Sequence, residues 1–115
     1  MSISVLPYLR HILKETRFLI EFSAGIENDA FLQDEVLQRA FVRSLEIIGE
    51  AARHVPDEFR RSRDEVRWAN MVGMRDRLVH GYFGIDYEIV WDVITNIIPD
   101  LRRDIERLIQ SETNE

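Results

Sequence analysis

One short run of this chain brings three chemically useful side chains together: Arg75-Asp76-Arg77-Leu78-Val79-His80-Gly81-Tyr82. The pattern is R-x-x-x-x-H-x-Y. An arginine can fork onto a phosphate through two parallel hydrogen bonds. A histidine can move a proton near neutral pH. A tyrosine phenol can donate a hydrogen bond or be covalently modified. Arg75, His80 and Tyr82 together therefore suit work on a phosphodiester. An R-x-x-x-x-H spacing alone occurs by chance in many chains, so the elements that hold it carry part of the argument.

Four helices are expected to position the run. The first spans about Val5 to Ile26, where Leu6, Leu9, Ile12, Leu13, Leu19 and Ile20 recur at helical spacing. Pro7 fits its first turn, where a missing N–H costs little. The second spans about Gln33 to His54, with Leu37, Phe41, Leu45, Ile48 and Ala52 in one stripe and Val36, Ala40 and Ile47 beside it. Asn28 and Asp29 can cap a lead-in turn, and Val55-Pro56 stops the helix because a residue before proline avoids the α region. Residues 56–66 read as a polar loop with a short helical turn. The third helix starts near Arg67, carries the run, and ends at Gly81 and Gly84 with Tyr82 and Phe83 between them. Asp86 caps the fourth, which reaches about Gln110 on a stripe of Val90, Val93, Ile94, Ile97, Leu101, Ile105 and Leu108. Pro99 predicts a kink around Thr95–Pro99. No strand-like alternation is present. The expectation is an all-α, antiparallel helical bundle in one domain, residues 1–115.

On a helical wheel at roughly 100° per residue, Arg75 falls beside Trp68, Met71, Val72, Leu78 and Val79. A guanidinium on an apolar stripe needs a partner. It either meets an internal carboxylate or faces a cleft or partner subunit that brings an anion. Glu46 and Glu50 of the second helix are the candidate structural partners. If such a buried pair exists, Arg75→Ala lowers stability by about 3–5 kcal/mol. His80 sits about 140° from Arg75 on an ideal helix. The helix must therefore unwind near Gly81, or a symmetric dimer must bring the two sets of side chains together. His11 and His54 carry no surrounding motif and read as surface or structural groups, His54 suiting a helix C-terminus.

Composition removes several classes. There are no cysteines, so disulfides, Cys-based zinc sites and a thiol nucleophile are excluded. No histidine pair has metal-ligand spacing, and there is no P-loop or G-x-S-x-G, so neither a metal nor a cofactor is expected. No apolar run approaches the roughly 20 residues of a membrane span, and the start lacks signal-peptide regions. A cytoplasmic protein without a membrane partner is expected. The formal net charge of −6 argues against broad nucleic-acid binding of the kind that coats DNA, but not against a local basic site. Arg60, Arg61, Arg63 and Arg67 cluster before the run, interleaved with Asp57, Glu58, Asp64 and Glu65. They read either as a solvated, charge-balanced surface or as a rim guiding phosphates.

Nearly the whole chain resembles the HEPN superfamily, and within it the HepT-like ribonuclease toxins. The stretch Arg43-Ser44-Leu45-Glu46-Ile47-Ile48-Gly49-Glu50-Ala51 is similar to the family's second-helix pattern. The segment from Gly73 to Asp86 is similar to its core signature, and Trp91 and Pro99-Asp100-Leu101 also fit. The resemblance implies a four-helix bundle, a homodimer with a composite cleft, and metal-independent endoribonuclease activity on tRNA or mRNA. It implies that Arg75 holds and neutralises the phosphate, His80 transfers protons, and Asp76 orients the site. The 2′-hydroxyl attacks the adjacent phosphorus, leaving a 2′,3′-cyclic phosphate and a 5′-hydroxyl. It also implies a partner, a minimal nucleotidyltransferase antitoxin that transfers AMP from ATP to Tyr82 and can assemble with the dimer. The alternative reading is a noncatalytic nucleotide-binding or scaffold subunit of a nucleotidyltransferase complex, in which the same Arg and His only bind phosphate. A purely structural helical dimer leaves Arg75 without a role.

Overall fold

The computed structural model describes residues 4–78 and 84–114. These form eight helices and no β-strand: α1 (Leu6–Ser23), α2 (Asn28–Leu32), α3 (Glu35–His54), α4 (Asp57–Ser62), α5 (Trp68–Val72), α6 (Met74–Leu78), α7 (Tyr87–Asn96) and α8 (Ile98–Thr113). Helix α1 lies against α3 and α8, α7 against α8, and the short α5 and α6 sit on α3.

The long helices follow their apolar stripes. Leu9, Ile12 and Leu19 of α1, Phe41, Leu45, Ile48 and Ala52 of α3, and Val90, Val93, Ile98 and Ile105 of α7 and α8 are buried in one core. Val36, beside the expected α3 stripe, is instead 77% exposed. Asp34 caps α3 by accepting from the Leu37 N–H at 3.1 Å. Before it, the expected lead-in turn is the separate helix α2, which Gln38 holds by donating to the carbonyls of Phe31 and Leu32. Phe31 stacks on Phe41 and Trp91, with ring centroids 5.5 and 5.1 Å apart.

The expected kink near Pro99 is a full break. Helix α7 ends at Asn96, Ile97 bridges, and Pro99 occupies the first turn of α8, where its missing N–H is harmless. The helix expected from Arg67 through the run is likewise divided. Gly73, with ψ of 8°, separates α5 from α6. Glycine gains least from helical geometry, so the chain bends there at little cost.

Gly49 decides how closely α5 and α6 approach α3. A methyl group at Gly49 would stand 2.8 Å from the Met71 carbonyl oxygen and 3.8 Å from Met74 Cβ. The obstacle at 2.8 Å is backbone, which cannot rotate aside. Gly49→Ala is therefore expected to lower unfolding free energy by about 1–3 kcal/mol, the usual cost of forcing extra volume into a packed contact. Urea denaturation would read it as a lower midpoint at unchanged slope.

Candidate active site

Helix α6 carries the first half of the R-x-x-x-x-H-x-Y run. Met74 and Leu78 are its buried residues, 3% and 1% exposed, and Met71 before the bend is 2% exposed. This 71, 74, 78 spacing forms the core stripe. Arg75, Asp76 and Arg77 fall on the remaining face and are all exposed.

The expected burial of Arg75 is therefore corrected. The wheel placed Arg75 within the apolar stripe because Arg75 lies four residues from Met71 and three from Leu78, the spacing of one helix face. In the structure Met74 occupies the stripe, and Arg75 flanks it. Neither Glu46 nor Glu50 pairs with Arg75. Among the described residues no carboxylate lies within 4.0 Å of Arg75 or Arg77. Glu50 is exposed and stands 3.9 Å from His54 Nδ1, while Glu46 is half-buried on α3. The Arg75 guanidinium thus faces solvent with its donors unspent on a neighbouring carboxylate.

His80 and Tyr82 lie outside the described residues, as do Val79, Gly81 and Phe83. The residues that flank this span are described. The Asp86 N–H donates to the Leu78 carbonyl at 2.9 Å, tying the end of α6 to the start of α7. The Asp86 carboxylate then accepts from the N–H groups of Glu88 and Ile89 at 3.0 and 3.3 Å, capping α7 as expected. Gly84 has φ of +84°, a left-handed conformation that suits glycine.

The arginine cluster before the run is partly spent on structure. Arg60 pairs with Asp57. Arg63 reaches Glu112 at the far end of α8, 3.2 Å away, and lies over the Phe59 ring at 5.2 Å. Its carbonyl accepts from the Trp68 indole N–H at 2.9 Å, which satisfies that buried ring and fixes the start of α5. Arg61 and Arg67 are exposed, and neither has an ion-pair partner among the described residues. The cluster is thus neither wholly a balanced surface nor wholly a phosphate rim.

The other histidines have the expected surface character. His54 Nδ1–H donates to the Glu50 carbonyl at 2.9 Å, and its ring stacks on Tyr8 with centroids 5.7 Å apart. His11 is exposed nearby. Among the described residues no group of three or more histidine or acidic side chains has the geometry to hold a metal ion.

An arginine-bearing helix on an all-helical frame is shared by many proteins, so the sequence comparisons decide the family. Residues 12–108 match the family model described as Ribonuclease HepT-like. The chain belongs to the HepT-like ribonuclease family. Among its relatives is "Putative RNase TTE0752" of Caldanaerobacter subterraneus subsp. tengcongensis, 51% identical over 92% of this chain and 95% of the relative. "Putative RNase MJ0127" of Methanocaldococcus jannaschii is 41% identical over 92% of this chain and 88% of that protein. "Probable ribonuclease HepT" of Thermococcus cleftensis is 40% identical over 88% of this chain and 92% of that protein. No solved structure matches the chain. Among the described residues of this HepT-like protein, no helix is long and apolar enough to cross a membrane.

Gly49 is the residue of this region whose packing role the sequence left unassigned. The available signal was a glycine in the middle of a long helix, where it costs about 1 kcal/mol relative to alanine and so calls for a packing reason. For Arg75 the exposed position removes the condition, a buried pair, on which a loss of stability was expected. Arg75→Ala should leave the thermal midpoint within about 3 °C of wild type, as surface substitutions do. Scanning calorimetry on the two proteins checks this.

Proposed function

We propose that this chain is a metal-independent endoribonuclease and the toxin of a toxin–antitoxin pair. Membership of the HepT-like ribonuclease family carries the proposal. The exposed Arg75, with no carboxylate beside it among the described residues, supports it physically. A guanidinium left free of internal pairing can fork onto a scissile phosphate and offset the charge that builds on phosphorus.

In the proposed reaction, the ribose 2′-hydroxyl attacks the adjacent phosphorus. The new bond is O2′–P, and the bond that breaks is P–O5′. The products are a 2′,3′-cyclic phosphate and a 5′-hydroxyl, with no water consumed. His80 takes the proton of the 2′-hydroxyl or gives one to the departing 5′-oxygen, the proton-transfer role an imidazole can serve. One chain offers one histidine in the run, so we propose a homodimer whose cleft supplies both proton-transfer groups. Asp76, exposed between Arg75 and Arg77, is proposed to orient the site. We further propose that the eight helices amount to a four-helix HEPN bundle in one domain: α1, α3, α5 with α6, and α7 with α8.

Tyr82 is the proposed control point. AMP added to its phenol by a nucleotidyltransferase antitoxin would place anionic phosphate and bulk beside Arg75, repelling RNA and competing for the guanidinium.

Two experiments test these readings. Purified protein in EDTA should cleave bulk tRNA or mRNA to cyclic-phosphate ends. His80→Ala should slow this by about two to four orders of magnitude, the usual contribution of general acid–base catalysis, while the variant keeps its oligomeric state. Undiminished cleavage by the variant removes His80 from the mechanism. No cleavage by unmodified, dimeric wild type moves the reading to a noncatalytic nucleotide-binding subunit. On coexpression with a nucleotidyltransferase encoded beside it, the protein should gain mass in whole AMP units, and Tyr82→Phe should not. An unmodified wild type under those conditions removes the antitoxin assignment.

A further inference from the structure

A cavity of about 410 Å³ opens between the helices that carry Arg75 and the break between α7 and α8. Its volume falls within the range of small-molecule pockets. The chemistry proposed for Arg75 and His80 makes no use of it.

The walls have a distinct character. Met71, Met74, Ile97 and Leu101 supply the apolar surface. Thioether side chains adapt well to flat rings. Two exposed carboxamides, Asn70 and Asn96, stand at the edge. Asn96 donates through Nδ2 to Asp92 Oδ1 at 2.7 Å, which orients the amide and leaves its carbonyl oxygen free to accept. Asn70 has both faces of its amide available among the described residues.

The charges around the cavity cancel. Arg103 is paired with Asp100, and Arg107 stands 3.9 Å from Asp104. Arg67 and Glu65 complete the charged lining, giving equal numbers of guanidiniums and carboxylates. A lining that is neutral overall and bears three carboxylates is a poor place for a phosphate. It suits a neutral, planar heterocycle, whose face lies over Ile97 backed by the largely buried Met71, Met74 and Leu101 and whose edge meets amides. Met74 also directly precedes Arg75, so this cavity and the exposed guanidinium belong to the same short helix.

We propose that the cavity is a nucleobase subsite, holding one unpaired base of the RNA while a neighbouring phosphate lies on Arg75. This rests on the ribonuclease reading for its ligand, but on different residues. It makes Asn70 and Asn96 the groups that select sequence near the cut.

The protein carries three methionines, and two of them, Met71 and Met74, line this cavity. Carbon-13 labelling of methionine methyls therefore gives two reporters inside the site. The probe is a short 2′-O-methyl oligoribonucleotide, which lacks the hydroxyl that cleavage needs. Both methyl resonances are expected to shift and saturate. Asn70→Ala, a change at an exposed position, should weaken that binding about tenfold. With cleavable RNA, it should raise KM about tenfold and leave kcat within about twofold, the signature of lost uniform binding. Unmoved methyls at millimolar oligonucleotide overturn the proposal. Saturable shifts with free AMP, together with unchanged oligonucleotide cleavage by Asn70→Ala, also overturn it and assign the cavity to a free nucleotide. Methyl shifts with the oligonucleotide, but no cleavage of ordinary RNA by wild type, retain the base subsite and remove the ribonuclease reading.

Discussion

The close approach of the α5–α6 segment to α3 depends on the absence of a side chain at Gly49. A glycine in the middle of a twenty-residue helix gives up about 1 kcal/mol against alanine. In return the Met71 carbonyl comes so near α3 that a single methyl group would stand 2.8 Å from it. That proximity lets Met71, Met74 and Leu78 reach the core. Once Met74 and Leu78 point inward four residues apart, the three residues between them are turned outward. The exposure of Arg75, Asp76 and Arg77 is thus a consequence of what α3 lacks.

The same segment is held at both ends by polar ties. At its start, the indole of Trp68 donates to the Arg63 carbonyl, and the Arg63 guanidinium reaches Glu112 on α8. At its end, the Leu78 carbonyl accepts from Asp86, whose carboxylate caps α7. Asp86 therefore joins two elements with two different groups. Its backbone ties the end of α6 to the start of α7, and its side chain satisfies orphan donors of the next helix. Two five-residue helices are too short to be stable alone. Their stability comes from these ties and from the core below.

The long elements were legible because each repeats its apolar signal over several turns. Phe41, Leu45, Ile48 and Ala52 needed no tertiary information to be assigned to one face, and Asp86 announced its cap by local chemistry alone, while Pro99 announced only a kink where the helix breaks. The short elements were not. In a window of eleven residues from Trp68 to Leu78, Met74 and Arg75 compete for the same stripe, and packing against Gly49 of α3 sets Met74 inward. The buried ion pair with Glu46 or Glu50 was one of two fates open to a guanidinium on that stripe, and the exposed position of Arg75 excludes it. The fate of Arg63 was equally hidden, because its carboxylate partner lies 49 residues away in sequence. Local patterns identified which residues could do chemistry. Their exposure followed from contacts between elements distant in the chain.

An acidic protein that handles a polyanion has to separate its charges, and this fold does so. All three arginines of α8 stand within an ion-pair distance of a carboxylate one turn away, Arg102 with Glu106, Arg103 with Asp100 and Arg107 with Asp104. That helix contributes little net attraction for phosphate. On α6, Arg75 and Arg77 have no such neighbour among the described residues. With a formal net charge of −6, the chain cannot hold RNA by blanketing its backbone. On the proposed reading, attraction is confined to a few guanidiniums on one short helix. Affinity must then come from a small number of shaped contacts rather than from counterion release, which makes a neutral base-sized cavity walled in part by Met74 of the same helix more valuable than a further row of cations.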